Sequence, residues 1–293
     1  MKPHTLSFLL ASVVLPLSPL LGAEPAAAAP PAAAPSAMPG AAELVLQVAA
    51  NRRAESILIR ARLLVTDSAT EGRCAIQFLL RGRTDGEVTR RLYQVLWPTP
   101  RLGQALYLER DGDGPLGGFL FEPPDKITPL SPELLRSPFL DSDLSIEDLS
   151  DDFWQWPAPT LAGTETVNGE PCAIIDLRPP AGRPYSYGRV RAWISTAKTL
   201  PLRLEKFDAS ERLVKRFTFR KLVQRDGIWA PATTVVQAPG SSRETLVELS
   251  RGERDASIPL AELSVDAIKQ FAARAAQEAQ EAAAARRGNP AHK

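Results

Sequence analysis

Short runs in which apolar and polar residues alternate dominate the middle of the chain. Ile57, Ile59, Ala61, Leu63 and Val65 fall on one face of a strand, with Arg60 and Arg62 on the other. Cys74, Ile76, Phe78 and Leu80 repeat the pattern up to a turn at Asp85-Gly86. Tyr93, Val95 and Trp97 continue it until Pro98, and Phe119 and Phe121 follow a glycine-rich loop at Asp111–Gly114. Further on, Thr164–Val167 and Cys172–Leu177 flank Asn168-Gly169, the dipeptide that a two-residue hairpin prefers. Arg189–Ile194, Leu202–Phe207, Arg212–Leu222, Trp229–Gln237 and Arg243–Leu249 complete the series, separated by turns at Asp208–Glu211, Asp226-Gly227 and Pro239-Gly240. About ten strands joined mostly as hairpins predict an antiparallel meander. A meander that long curls into a barrel or half-barrel, because strongly twisted sheets rarely stay flat beyond about 10 strands.

Helical signals flank this sheet. Glu43–Asn51 places Leu44, Val45 and Val48 on one face, Ser131-Pro132-Glu133 is a helix opening with proline in the first turn, and Ser145–Leu149 is a second short helix. From Ser264 to Arg287 the chain reads as helix, but its apolar positions Ile268, Phe271, Ala272 and Ala275 lie in the first turns only. The fold class is therefore mainly β with some helix (α+β), an antiparallel half-open barrel with short lid helices and a C-terminal helix.

The N-terminus changes the compartment. Lys2, an apolar stretch from Leu6 to Leu21 broken by Pro16 and Pro19, and Leu21-Gly22-Ala23 read as a secretory signal peptide over residues 1–23, cleaved near Ala23. Residues 24–42 are almost wholly alanine and proline, an extended tether with nothing to bury. The folded domain spans 43–264, and 265–293 is an Ala-rich helical tail. No cysteine lies near the cleavage site, so the product is expected free in the periplasm of a Gram-negative host. Cys74 and Cys172 sit inside strands among apolar neighbours, which leaves both a disulfide and a pair of buried thiols open.

Charge and histidine exclude whole classes. The chain of 293 residues carries 35 Lys+Arg against 34 acids. A leader containing only Lys2 leaves the mature protein neutral, so no nucleic acid partner is expected. Its two histidines are His4, in the leader, and His292, next to the last residue. A Ser-His-Asp triad, a Cys-His pair or a His-containing metal site needs an imidazole held by the scaffold, and the folded domain offers none. No Walker-type loop, CxxC or GxSxG occurs, and no cofactor or metal is expected.

Three stretches carry candidate chemistry. Asp141–Asp152 holds six carboxylates in twelve residues. A calcium loop fails on spacing, since Ile146 stands where the loop needs glycine and no Glu closes it. Paired-carboxylate hydrolysis finds no feature that would separate two carboxyl pKa values, so capping and a solvated loop explain these acids more simply. Tyr185-Ser-Tyr187-Gly-Arg189-Val-Arg191 is explained by strand alternation. Trp154 and Trp156, in Phe-Trp-Gln-Trp-Pro, suit either a ligand lid or closure of the core at the end of the sheet.

Several elements together resemble a family. Phe139–Leu149 is similar to the acidic "SDFSYEDL" element of LolA-like outer-membrane lipoprotein-sorting proteins. Gly163–Cys172, Tyr187–Ile194, Leu200–Asp208, Ile228–Pro231 and Ile258–Ser264 follow in the family's order. The resemblance implies a LolA/LolB-like half-barrel whose apolar concavity holds the acyl chains of a lipid or lipoprotein, in some members beside an RND-type inner-membrane transporter. The chain departs from the pattern at Ser195, where the family has Asp, at Ile146, which replaces an aromatic, and in the tail after Ser264. No counterpart of the family's lid-gating arginine is identified.

The expected function is a monomeric periplasmic carrier without catalysis. Its cavity wall is expected at Ile57, Ile59, Leu63, Ile76, Phe78, Val95, Phe119, Phe121, Phe217 and Phe219. Phe139, Asp141, Asp143, Leu144, Trp154 and Trp156 are expected in the lid. The alternative is an adaptor or sensor that partners an RND-type transporter or a membrane signalling protein.

Overall fold

The computed structural model describes residues 39–182 and 185–288. The expected leader at 1–23, residues 24–38 of the expected tether, both histidines and the last five residues lie outside them. Helix α1 (Ala41–Arg52) opens the described chain, two residues inside the Ala/Pro-rich segment. Strands β1 (Ser56–Asp67), β2 (Gly72–Asp85), β3 (Val88–Trp97), β4 (Ala105–Asp111), β5 (Gly117–Glu122) and β6 (Lys126–Pro129) form a first meander. Helix α2 (Pro132–Arg136) and three 3-10 turns follow. The second meander is β7 (Thr160–Val167), β8 (Glu170–Leu177), β9 (Arg189–Ser195), β10 (Leu200–Phe207), β11 (Leu213–Arg225), β12 (Ile228–Gln237) and β13 (Arg243–Arg254). Helix α3 (Val265–Gly288) closes the chain.

All thirteen strands form one antiparallel sheet in the order β6-β5-β4-β3-β2-β1-β13-β12-β11-β10-β9-β8-β7. The expected half-open architecture is thus present, with thirteen strands in place of about ten. The two meanders are joined by their first and last members: Leu63 lies opposite Val247 and Val65 opposite Thr245. Strands β6 and β7 remain unpaired edges, so the sheet does not close. Asn168 and Gly169 both take positive φ at the β7–β8 turn, as a type I′ hairpin requires.

Alternation sorts side chains onto two faces. The concave face carries the main core: Ala61, Leu63 and Val65 of β1, Phe78 and Leu80 of β2, Tyr93 of β3, and Leu106 and Leu108 of β4. Across the second meander it continues through Ala173, Ile175, Leu177, Val190, Ala192, Leu204, Phe217 and Val236. Leu44, Val45 and Val48 of α1 are buried in the same cluster. The convex face carries a smaller one, in which Leu92, Ala105 and Phe121 pack with Ile258 and Leu263 of the segment after β13 and with Ile268 and Ala272 at the start of α3. Gly103 admits this contact, because a Cβ there would stand 2.7 Å from that of Ala272.

Two expectations are corrected here. Phe119 and Phe121 do not face the concavity. They pair with Tyr107 and Ala105 in the β4–β5 ladder and lie on the convex side, beneath α3. Cys74 is exposed and Cys172 buried, both as free thiols, so neither a disulfide nor a pair of buried thiols is present. Their strands, β2 and β8, stand far apart in the sheet order. Burial raises the pKa of the Cys172 thiol.

Candidate functional site: the concave face and its lid

The connection from β6 to β7 runs from one open edge of the sheet to the other. Strand pairing cannot satisfy this gap, so residues 130–159 fill it with side chains. Phe139, Leu144, Ile146, Phe153, Trp154 and Trp156 are all buried in the main core. Phe139 stands edge-on to Phe78 at 6.0 Å and to Tyr93 at 5.4 Å between ring centroids. Phe153 lies 4.8 Å from Trp154, and Trp156 meets Tyr185 edge-on at 5.0 Å. Neither indole N–H, of Trp154 or Trp156, has an acceptor among the described residues, although both are buried.

The expected wall residues divide accordingly. Leu63, Phe78 and Phe217 form the concave core, and Ile57, Ile59 and Phe219 pack half-buried against it. Ile76 and Val95 are buried at register positions opposite Leu63 and Phe78. Phe119 and Phe121 are the two outside this surface. Of the lid residues, Phe139, Leu144, Trp154 and Trp156 point into the core, whereas the acids hold the segment to the sheet. The Thr245 hydroxyl donates to Asp143 Oδ2 at 2.6 Å, and the Asp143 amide donates to Thr245 Oγ1 at 2.9 Å. Asp141 pairs with Arg101, and Arg243 donates to its carbonyl at 2.6 Å.

The acid that matters most was not singled out by the pattern. Asp148 is fully buried, with side-chain exposures of 0% for it, 3% for Lys206 and 13% for Lys215. Lys206 Nζ donates to Asp148 Oδ1 at 2.7 Å, the Tyr187 hydroxyl donates to the same oxygen at 2.8 Å, and Lys215 pairs with Oδ2. The Ser145 amide adds a fourth donor at 2.8 Å. Burial alone would raise the Asp148 carboxyl, but the attraction of Lys206 and Lys215 outweighs it and holds the group well below the ordinary carboxylate range. Burial, reinforced by the Asp148 charge, pushes the Tyr187 hydroxyl well up. The Lys206 ammonium also lies over the rings of Tyr187, Phe217 and Phe153, at 4.6, 5.0 and 5.1 Å.

A signal for this cluster existed. After the irregularity at Pro201/Arg203, Leu204 and Lys206 share a face of β10, and Lys215 precedes Phe217 and Phe219 on a face of β11. Lys206 and Lys215 are direct cross-strand partners. Two lysines opposite one another on an apolar face repel, and such a pair calls for an anion between them. By contrast, Arg189 and Arg191 are accounted for by Asp176, at 3.2 and 2.7 Å.

One end of the concavity opens as a polar cavity of about 780 Å³. The C-terminal end of α1, the β2–β3 turn, β4 and Ser150, Asp151, Asp152, Trp154 and Gln155 of the connection form its wall. Arg52 pairs there with Asp151, and Arg110 with Asp152. Arg91 donates to the Leu149 carbonyl at 2.5 Å. Burial raises the Asp152 carboxyl against the opposing pull of Arg110. Among the described residues no group of His, Cys, Asp and Glu is arranged to hold a metal ion, and no helix is long and apolar enough to cross a membrane.

Solved structures share this architecture. A DUF1329 family protein from Desulfovibrio piger superposes with a TM-score of 0.72 at 21% identity, covering 78% of this chain and 97% of its own. An outer-membrane lipoprotein-sorting protein domain from Vibrio parahaemolyticus gives 0.71 at 18% identity, covering 78% and 98%. A LolA superfamily protein from Nitrosomonas europaea gives 0.63 at 16%, covering 78% and 99%. No curated protein matches the chain in sequence. A family model described as "-like: Uncharacterized protein" matches residues 119–270, more than half of the chain, from β5 through the lid and second meander into α3. The chain belongs to the family of that model, and it is built on the LolA-like fold.

Proposed function

We propose that the chain is a non-catalytic periplasmic carrier that holds the acyl chains of a lipid or lipoprotein against the concave face of its half-barrel. The observation that carries this reading is the nature of what covers that face. A single connection between two unpaired sheet edges shields a surface lined by Leu63, Phe78 and Phe217, and it does so with aromatic side chains of its own. Displacing that connection exposes apolar surface that an acyl chain can cover, and each buried CH₂ contributes about 0.8 kcal/mol. The description of the Vibrio structure as a lipoprotein-sorting domain supports the class of cargo. The apolar N-terminal stretch read as a leader supports a periplasmic location, and the carrier reading takes the protein as a monomer with an RND-type transporter as a fitting partner.

Native mass spectrometry with lipid extraction tests this on protein expressed with its leader in a Gram-negative periplasm and purified without detergent. A carrier yields a stoichiometric lipid that a fluorescent acyl probe displaces. An empty protein that takes up no probe overturns the reading and favours the adaptor role.

A further inference from the structure

The buried cluster around Asp148 is divided between two parts of the molecule. Its carboxylate, together with the neighbouring Glu147, belongs to the connection that covers the concave face. Its three side-chain donors belong to the sheet and the loop leading into it: Lys206 on β10, Lys215 on β11 and Tyr187 just before β9. Movement of the connection therefore removes both acids and leaves two ammonium groups behind. Glu147 offers no substitute counterion while the lid is closed, since its Oε1 accepts from the Ser186 amide at 3.0 Å. Lys206 would then stand uncompensated beside Phe217, Leu204 and the other apolar residues of the concave core.

Burying an unpaired cation is strongly unfavourable, so whatever replaces the lid is selected for a negative charge at this point. A buried ion pair also adds little stability over apolar residues of similar volume, so the lysines themselves need a reason beyond folding. The lid's geometry supplies that reason. Its carboxylate sits among two ammonium groups and a phenol, and its aromatic residues lie along the apolar face beside it, the layout of an anionic head and its hydrocarbon chain.

Resting on the carrier reading above, we propose that Lys206, Lys215 and Tyr187 form a receptor for the anionic oxygen group of an acyl amphiphile, a carboxylate or a phosphate, whose place Asp148 takes when the lid is closed. The cargo class is thereby narrowed from acyl chains in general to chains with an acidic oxygen head.

Delipidated full-length protein is titrated with palmitate, hexadecyl phosphate, methyl palmitate, acetate and inorganic phosphate, and tryptophan fluorescence is followed. Charge-assisted hydrogen bonds to the head predict that an anionic chain binds about tenfold or more tighter than methyl palmitate, with the chain-free anions too weak to register. The tighter of palmitate and hexadecyl phosphate names the source of the anion. In the paired variant Lys206→Met with Lys215→Met the preference for charge disappears, while retained binding of methyl palmitate shows that the barrel is intact. Asp148→Asn, which weakens the closed lid that every chain displaces, tightens charged and neutral chains alike and keeps the preference for charge. Equal binding of charged and neutral chains by the wild type overturns the receptor and leaves the carrier standing. Failure of every chain to bind overturns both.

Discussion

At the scale of single residues, the Asp148 cluster contributes a defined part of how the molecule responds to acid. A carboxyl whose pKa is depressed in the folded state adds stability above its unfolded value, about 3.9, and loses it as pH falls toward the folded value. Its contribution is therefore complete at neutral pH and erodes only below about pH 4. Urea unfolding of wild type and Asp148→Asn at pH 7 and pH 3 checks this. The variant is less stable by about 3–5 kcal/mol at pH 7, because two buried lysines lose their counterion. That gap narrows by about 1 kcal/mol at pH 3, and an unchanged gap would show that Asp148 is not ionised in the fold. This cluster also marks the limit of what alternation reveals. Lys206 and Lys215 interrupt apolar faces in the sequence, but only the register that sets β10 against β11 shows that they meet. The lid acid between them comes from the 3-10 turn Glu147–Leu149, which has no period to read.

At the scale of elements, legibility follows how many faces of a strand are buried. Strand β1 alternates clearly along most of its length and is read directly from its sequence. Strand β4 is not, because Leu106 and Leu108 face the main core while Ala105 and Tyr107 face the convex cluster. Burial on both sides erases the period-two signal, and the same blurring lets Phe119 and Phe121 pass for cavity residues. The helix responsible, α3, shows a matching asymmetry. Ile268 and Ala272 are buried in its first two turns, whereas no residue from Gln277 to Ala285 is. Ile268→Ala is thus expected to destabilise the protein by about 2–4 kcal/mol, the range for a buried Ile truncated to Ala. Deleting residues 276–293 should stay within about 0.5 kcal/mol, as for changes away from packed surface. Denaturant midpoints measure both, and a large loss from the deletion would mean that the outer turns pack on something in solution.

At the scale of the whole molecule, the order of the strands explains why a connection covers the core between the open edges. Pairing β1 with β13 places the join between the meanders at the centre of the sheet and their free ends, β6 and β7, at the open edges. The chain must cross that opening once, between these strands, and this crossing is the natural place for a cover. The alternating pattern predicts a meander but not the pairing of first with last strand, since local periodicity says nothing about partners that far apart. On the proposed carrier function, the energetic balance then sets which cargo can compete. Six large apolar lid residues, each worth about 1.5–3 kcal/mol on burial, stand against about 0.8 kcal/mol per CH₂ of ligand. One sixteen-carbon chain therefore roughly matches the lid, and a second or third chain exceeds it. Diacyl and triacyl ligands should accordingly bind at least about tenfold tighter than a single-chain analogue with the same head group. Hydrogen exchange supplies the structural half of the check. Loading should speed exchange at the lid amides that now donate within the chain, such as Ile146 to Ser137 and Leu149 to Ile146, while the β9–β10 ladder stays protected. Equal affinities for one chain and for several, with lid exchange unchanged, would mean that acyl chains do not replace the lid.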